Sequence, residues 1–346
     1  AQTINLNDGY TNATTVKIGS DAASTDVINN NANVDLTVQA NNGSFGTDVD
    51  ITGSVGTNDT LNIVNTATGT TTFDTNNDVF ETINLVGFGA TAAPTIVTGA
   101  YSIGAVAGTG VLTINADTLT ALNAVTITGT SAATPLNVKT GAASDIITLG
   151  TKNDTLTSGA GNDIIDANAG VNTIDSGAGN DTITLGTGAD NITAGDGNDI
   201  ITAEGSLANT DIIDGGAGTD TLTTTAGISN SSVMGGVSNI EIINPIGAIN
   251  ITADGDMGGA TQFTIDSASA QILTLGGTGK TWTADTVVKV TDVGATNNKA
   301  IINSANVGLT VKGNTTDVVD GFTITGGTGT DTLELTADGA TTADLD

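Results

Sequence analysis

From Gly141 the chain repeats itself every nine residues. Successive frames read GAASDIITL, GTKNDTLTS, GAGNDIIDA, NAGVNTIDS, GAGNDTITL, GTGADNITA and GDGNDIITA. The fifth position is Asp145, Asp154, Asp163, Asn172, Asp181, Asp190 and Asp199. A three-residue insertion around Glu204–Asn209 follows, and the phase resumes at Asp211 and Asp220. Two residues after each of these positions stands an aliphatic: Ile147, Leu156, Ile165, Ile174, Ile183, Ile192, Ile201, Ile213 and Leu222. So strict a register leaves few folds open. Glycine at the first and third positions permits the left-handed backbone of a tight turn. The Asp closes the turn, and a short strand follows with one aliphatic facing inward. Nine residues make half a coil and two frames a full one. Such coils cannot bury a core alone, so they stack.

Stacking places each frame over the next but one. One edge then carries Asp145, Asp163, Asp181, Asp199 and Asp220, and the other Asp154, Asn172, Asp190 and Asp211. Coils lie about 4.8 Å apart. Two carboxylates at about 5 Å repel by about 1 kcal/mol in water and about 3 kcal/mol at an effective dielectric of about 20. A ladder of such pairs opposes folding unless a cation sits between them. Calcium suits the place, because it takes six to eight oxygens and accepts carbonyl ligands from a turn.

Composition narrows the cation further. The chain has 346 residues and a net charge of -30, with no histidine and no cysteine. Zinc, copper and haem sites lose their usual ligands, and a disulfide framework is excluded. Of 37 acids, four are glutamates (Glu81, Glu204, Glu241 and Glu334), which leaves 33 aspartates, the acid of turns and oxygen-ligand sites. A chain this acidic repels nucleic acid and anionic lipid. No apolar run approaches the roughly 20 residues of a membrane-spanning helix.

The same grammar recurs outside the central block. Gly56–Leu61 contains Asp59, and Gly326–Leu333 contains Asp331. Between the copies lie Thr-rich stretches that alternate with period two, such as Val111–Asn115 and Ala248–Thr252. No helical period is visible. The expected fold is all-β: an elongated parallel β-roll or β-solenoid with calcium-binding turns, flanked by further β-rich segments, solenoid or sandwich. Expected segments are 1–140 (β-rich, sparse repeats), 141–225 (the roll), 226–325 (β-rich) and 326–346 (the start of a further repeat). Ala1 is no initiator Met and the chain stops within that repeat, so a segment of a longer protein is expected.

These residues resemble the RTX (repeats-in-toxin) family, whose nonapeptide is G-G-x-G-x-D followed by x-aliphatic-x. The resemblance is dense over Gly141–Leu222 and returns once at Gly326–Leu333. It implies that the Asp side chains and turn carbonyls of stacked loops bind Ca2+, a role that falls on Asp145, Asp154, Asp163, Asp181, Asp190, Asp199, Asp211, Asp220, Asp331 and Asp59. This chain departs from the pattern at the second frame position, which is Ala, Thr or Asp rather than Gly. Asn172 replaces an acid, so its frame is expected to be calcium-poor.

Catalysis is not expected. Without His or Cys there is no Ser-His-Asp or Cys-His site, and the H-E-x-x-H of RTX-bearing zinc proteases is absent. Aromatics are only 3%, too few for a sugar platform. The pattern G-T-D-T-L with E-x-I-x-L looks like calcium-dependent bacterial S-layer proteins of the RTX type. That likeness implies a secreted structural protein at the bacterial cell surface, a self-assembling S-layer or filament subunit. Its partners would be further copies of itself and a cell-surface polysaccharide, with no nucleic acid and no membrane insertion. The alternatives are an RTX adhesin or biofilm-matrix protein, and the accessory module of a secreted enzyme.

Overall fold

A computed structural model describes residues 111–119, 124–129, 134–203, 207–224 and 235–245 without interruption. Outside these it describes 3–6, 14–18, 26–30, 36–40, 49–52, 60–65, 69–74, 82–86, 92–97, 249–253, 262–265, 271–275, 286–290, 299–303, 308–314, 322–326 and 330–336. The chain divides into two compact units, Ala1–Ile183 and Thr184–Asp346, and the nonapeptide block contributes to both.

In the first unit each frame yields one strand that starts just after its Asp, or after Asn172 in the fourth: Ile146–Thr148, Thr155–Thr157, Ile164–Asp166 and Thr173–Asp175. The middle residue of each strand points inward. Ile147, Leu156, Ile165 and Ile174 are buried while their neighbours lie outside, the period-two burial of a half-covered sheet. The strands pair in parallel with a step of 18 residues, Ile147 on Ile165 and Leu156 on Ile174, so two frames do make one coil. Upstream, the same two sheets continue in register. Ile83, Ile114, Val138 and Leu156 form one inward column, and Ile127 and Ile147 the facing one. Burying each such side chain stabilises by roughly 1.5–3 kcal/mol, but only once its neighbour coil is in place. A further three strands, Thr3–Leu6, Asp26–Asn30 and Val49–Thr52, form their own parallel sheet.

The second unit repeats the plan. Ile201, Leu222, Ile243, Phe263, Val288 and Val311 make one column through six parallel strands, and a seventh, Thr332–Thr336, pairs on in parallel. A separate sheet joins Ile249–Ala253, Gln271–Leu275, Lys299–Asn303 and Phe322–Thr325.

Pairing among the described residues is parallel in both units, so the flanks are solenoid, not sandwich. Coil length sets the flanks apart. The step is 18 residues within the first unit's frames, but 31 from Ile83 to Ile114 and 24 from Ile213 to Val237. Among the described residues no helix is long and apolar enough to cross a membrane.

Candidate metal centre

The turns that carry the acids are shaped by glycine. Gly161 and Gly179, at the third frame position, have φ of 126° and 138°, open to glycine alone. A Cβ on Gly161 would run into the carbonyl of Ala143, and one on Gly179 into that of Gly161. Each turn thus rests directly on the backbone of the one before. Ala160 N donates to Gly141 O (3.0 Å) and Ala178 N to Gly159 O (2.8 Å). A carbonyl has two acceptor positions, so Gly141 and Gly159 each keep one.

The aspartates bind these turns together. On the first ladder Val125 N donates to Asp145 Oδ1 (2.7 Å), Asp145 N to Asp163 Oδ1 (2.7 Å) and Asp163 N to Asp181 Oδ1 (2.8 Å). In the second unit Asp199 N donates to Asp220 Oδ1 (2.8 Å). All five carboxylates are buried, with the residues no more than 1% exposed. The Oδ2 atoms of Asp145, Asp163 and Asp220 have no hydrogen-bond partner among the described residues. Beside these acids stand the hydroxyls of Thr140, Ser158 and Ser176. Those of Thr140 and Ser158 give their protons to the carbonyls of Ser158 (2.8 Å) and Ser176 (2.9 Å).

The other ladder is built differently. Leu136 N donates to Asp154 Oδ1 (2.8 Å) and Asp154 N to Asn172 Oδ1 (3.0 Å). Here the second oxygen is also used: Gly150 N donates to Asp154 Oδ2 (2.9 Å). In the second unit Asp190 N donates to Asp211 Oδ1 (3.1 Å) and Ala208 N to Asp211 Oδ2 (2.8 Å). Asn172 keeps the ladder bond, and its Nδ2 donates to Ala167 O (3.1 Å). The residues that flank these turns are the buried aliphatics Leu149 and Ala167 in place of hydroxyls.

Burial is the main cause that pushes the carboxyls of Asp145, Asp154 and Asp181 above the usual range, against the backbone N–H groups that hold them down. Asp163 is pushed up to about 6, by burial first and then by the charges of Asp145 and Asp181. Asp220 also reaches about 6, from burial and then the charges of Asp199, Glu241 and Asp214. A buried anionic oxygen without a donor is costly. A divalent cation removes that cost.

The donor set therefore fits a hard cation on oxygen. Among the described residues no three acidic, His or Cys side chains converge on one point. A cation here draws on at most two carboxylates, with turn carbonyls and water as the balance, which suits calcium's large and flexible shell.

Of the remaining expected ligands, Asp331 repeats the ladder bond, with Leu309 N donating to its Oδ1 (3.0 Å), but Asp331 is exposed. Asp59 lies outside the described residues. A second set of turn residues escaped the sequence reading. Asn162 N donates to Ser144 Oγ (2.9 Å), Asn180 N to Asn162 Oδ1 (2.8 Å), Val171 N to Asn153 Oδ1 (2.9 Å) and Thr219 N to Asn198 Oδ1 (2.8 Å). These run opposite to the Asp bonds, so each turn is held from both sides. The recurring Asn before Asp was the available signal.

A search of the curated proteins and of the solved structures finds no match to the chain. A family model does match, over residues 140–174, 175–205 and 208–228, and its description is the RTX calcium-binding nonapeptide repeat. Such repeats bind calcium, and the proteins that carry them are typically secreted and extracellular. Residues 140–174, 175–205 and 208–228 are thus RTX calcium-binding nonapeptide repeats.

Proposed function

We propose that this is a non-catalytic structural protein of the bacterial surface, folded by calcium outside the cell and assembling with copies of itself into an S-layer or filament. The observation that carries it is the first ladder: buried carboxylates whose second oxygens, at Asp145, Asp163 and Asp220, have no hydrogen-bond partner among the described residues. In a low-calcium cytoplasm these charges keep the chain open. Millimolar external calcium fills sites of modest affinity and draws the fold together by mass action.

Self-association is supported by the outer faces. Ile146 and Ile164 are neighbours in register and 47% and 52% exposed. Ile200 and Ile212 are similarly open in the second unit. The strand Thr332–Thr336 pairs on one side only among the described residues, leaving backbone groups for another copy. A cell-surface polysaccharide is a further proposed partner. The second reading is an adhesin or matrix protein, favoured by the repeat block itself, which such proteins share; an accessory module of a secreted enzyme ranks third.

Circular dichroism with calcium and with EGTA tests the folding step. A β-spectrum that needs calcium supports the reading, and an unchanged spectrum in chelator sinks it. Negative-stain images in calcium then separate the classes: sheets for an S-layer, fibres for a filament, isolated particles for an adhesin or enzyme module.

A further inference from the structure

Beyond residue 228, where the family match ends, the second unit's first ladder continues with a residue outside the nonapeptide pattern. Asp199 N donates to Asp220 Oδ1 at 2.8 Å. One coil on, Asp220 N donates to Glu241 Oε2, also at 2.8 Å. Both steps are 21 residues, so Glu241 takes the place of the next ladder Asp.

The space beside this pair is walled by oxygen. Asp220 is fully buried and its Oδ2 has no hydrogen-bond partner among the described residues. A Cβ built on Gly215 would lie 2.9 Å from that Oδ2 and would run into the main-chain carbonyl of Asn239. Gly215 lies outside the left-handed region that Gly216 and Gly218 occupy, so backbone conformation does not require glycine there; the space does. Asn239 is held at φ 52°, uncommon for a residue with a side chain. Its Nδ2 donates to Asp214 Oδ1 (2.7 Å), which fixes the residue in place. Asp214 Oδ1 also accepts from Gly216 N (3.1 Å), so this oxygen is taken by protein donors while the carboxylate adds charge at the wall.

We propose that Asp220 Oδ2, the Glu241 carboxylate and the Asn239 carbonyl form a further calcium site, which closes the ladder where the repeat ends. The site rests on the calcium reading above. Two carboxylates with one neutral carbonyl and water make a hard, oxygen-only shell. It ties the last nonapeptide turn to the coil through Ile242–Pro245.

The test is calcium titration of the full chain by calorimetry, with calcium as the only added metal, for wild type, E241Q and D214N. E241Q keeps an oxygen for the Asp220 N–H and removes the charge. It is expected to bind one calcium fewer per chain. D214N is expected to keep the count and weaken one site about tenfold. An unchanged count and affinity in E241Q overturns the site. Should E241Q fail to order in calcium, D214N decides: one weakened site upholds the proposal and unchanged affinities overturn it. A wild-type chain that binds no calcium overturns the calcium reading as a whole, whereas normal binding in both variants overturns this site alone.

Discussion

The two ladders share a backbone and differ in chemistry. Both are built on glycine turns, and in both an Asx oxygen accepts the N–H of the coil before. At Asp145, Asp163 and Asp220 the second oxygen is buried without a donor, and hydroxyls flank the acid in the first unit. At Asp154 and Asp211 a backbone N–H from the same turn takes that oxygen. At Asn172 an amide replaces it and donates to Ala167 O. The same fold motif is thus satisfied with protein donors on one ladder and asks for a cation on the other. Periodicity sets where an acid stands, while the local turn sets what the acid can still bind.

The largest effects should be common to both ladders. Gly161→Ala on the first and Gly170→Ala on the second each put a Cβ on a backbone at φ above 120°, against the carbonyls of Ala143 and Lys152. Each should cost about 3 kcal/mol in denaturant unfolding at saturating calcium. A large gap between them would mean the two backbones are not equivalent. Next comes Asn172→Asp. It removes the donor to Ala167 O and buries a charge, so it should destabilise by about 1–3 kcal/mol even in calcium. A gain in stability with one extra bound calcium would make the second ladder a metal ladder too.

Ser158→Ala removes the bond to Ser176 O and should cost about 1 kcal/mol, read as a shift in the denaturant midpoint. The smallest effect is that of pH in chelator. The Asp163 and Asp220 carboxyls are raised to about 6, above the ordinary 3.8. The folded state therefore holds its protons more tightly than the unfolded chain. Their contribution is fully present below pH 3.8 and is lost as pH rises through about 6. Chelated protein should gain β-structure as pH falls from neutral towards 4. Calcium-loaded protein should weaken over the same range, because protons compete for the same oxygens. Circular dichroism at several pH values reads both.

Much of this was legible in the sequence. The nine-residue frame marked one inward aliphatic per frame from Ile147 to Leu222, though not the buried Leu149, Leu185 and Leu207, and its phase separated the two sets of aspartates. The flanks were harder. Their coils vary from 20 residues, between Ile243 and Phe263, to 31, between Ile83 and Ile114, so no fixed period betrays them. The Asn ladder through Asn162 and Asn198 was visible as a recurring letter, but its reversed hydrogen bonds appear only when turns stack. Glu241 hid because it reaches the ladder with a longer side chain from outside the motif. Whether Asp163 or Asp154 keeps an oxygen for metal depends on a single N–H, that of Gly150, which sequence spacing does not place.

Calcium affinity in Asp163→Asn and Asp154→Asn compares the ladders most directly. Both substitutions keep an oxygen for the ladder N–H and remove one charge. Titration calorimetry on the full chain should show D163N losing about tenfold or more in affinity at one site, or about 1.4 kcal/mol. D154N should stay within about threefold of wild type, or about 0.7 kcal/mol. Equal losses in the two variants, or a larger one in D154N, would contradict the assignment of calcium to the first ladder.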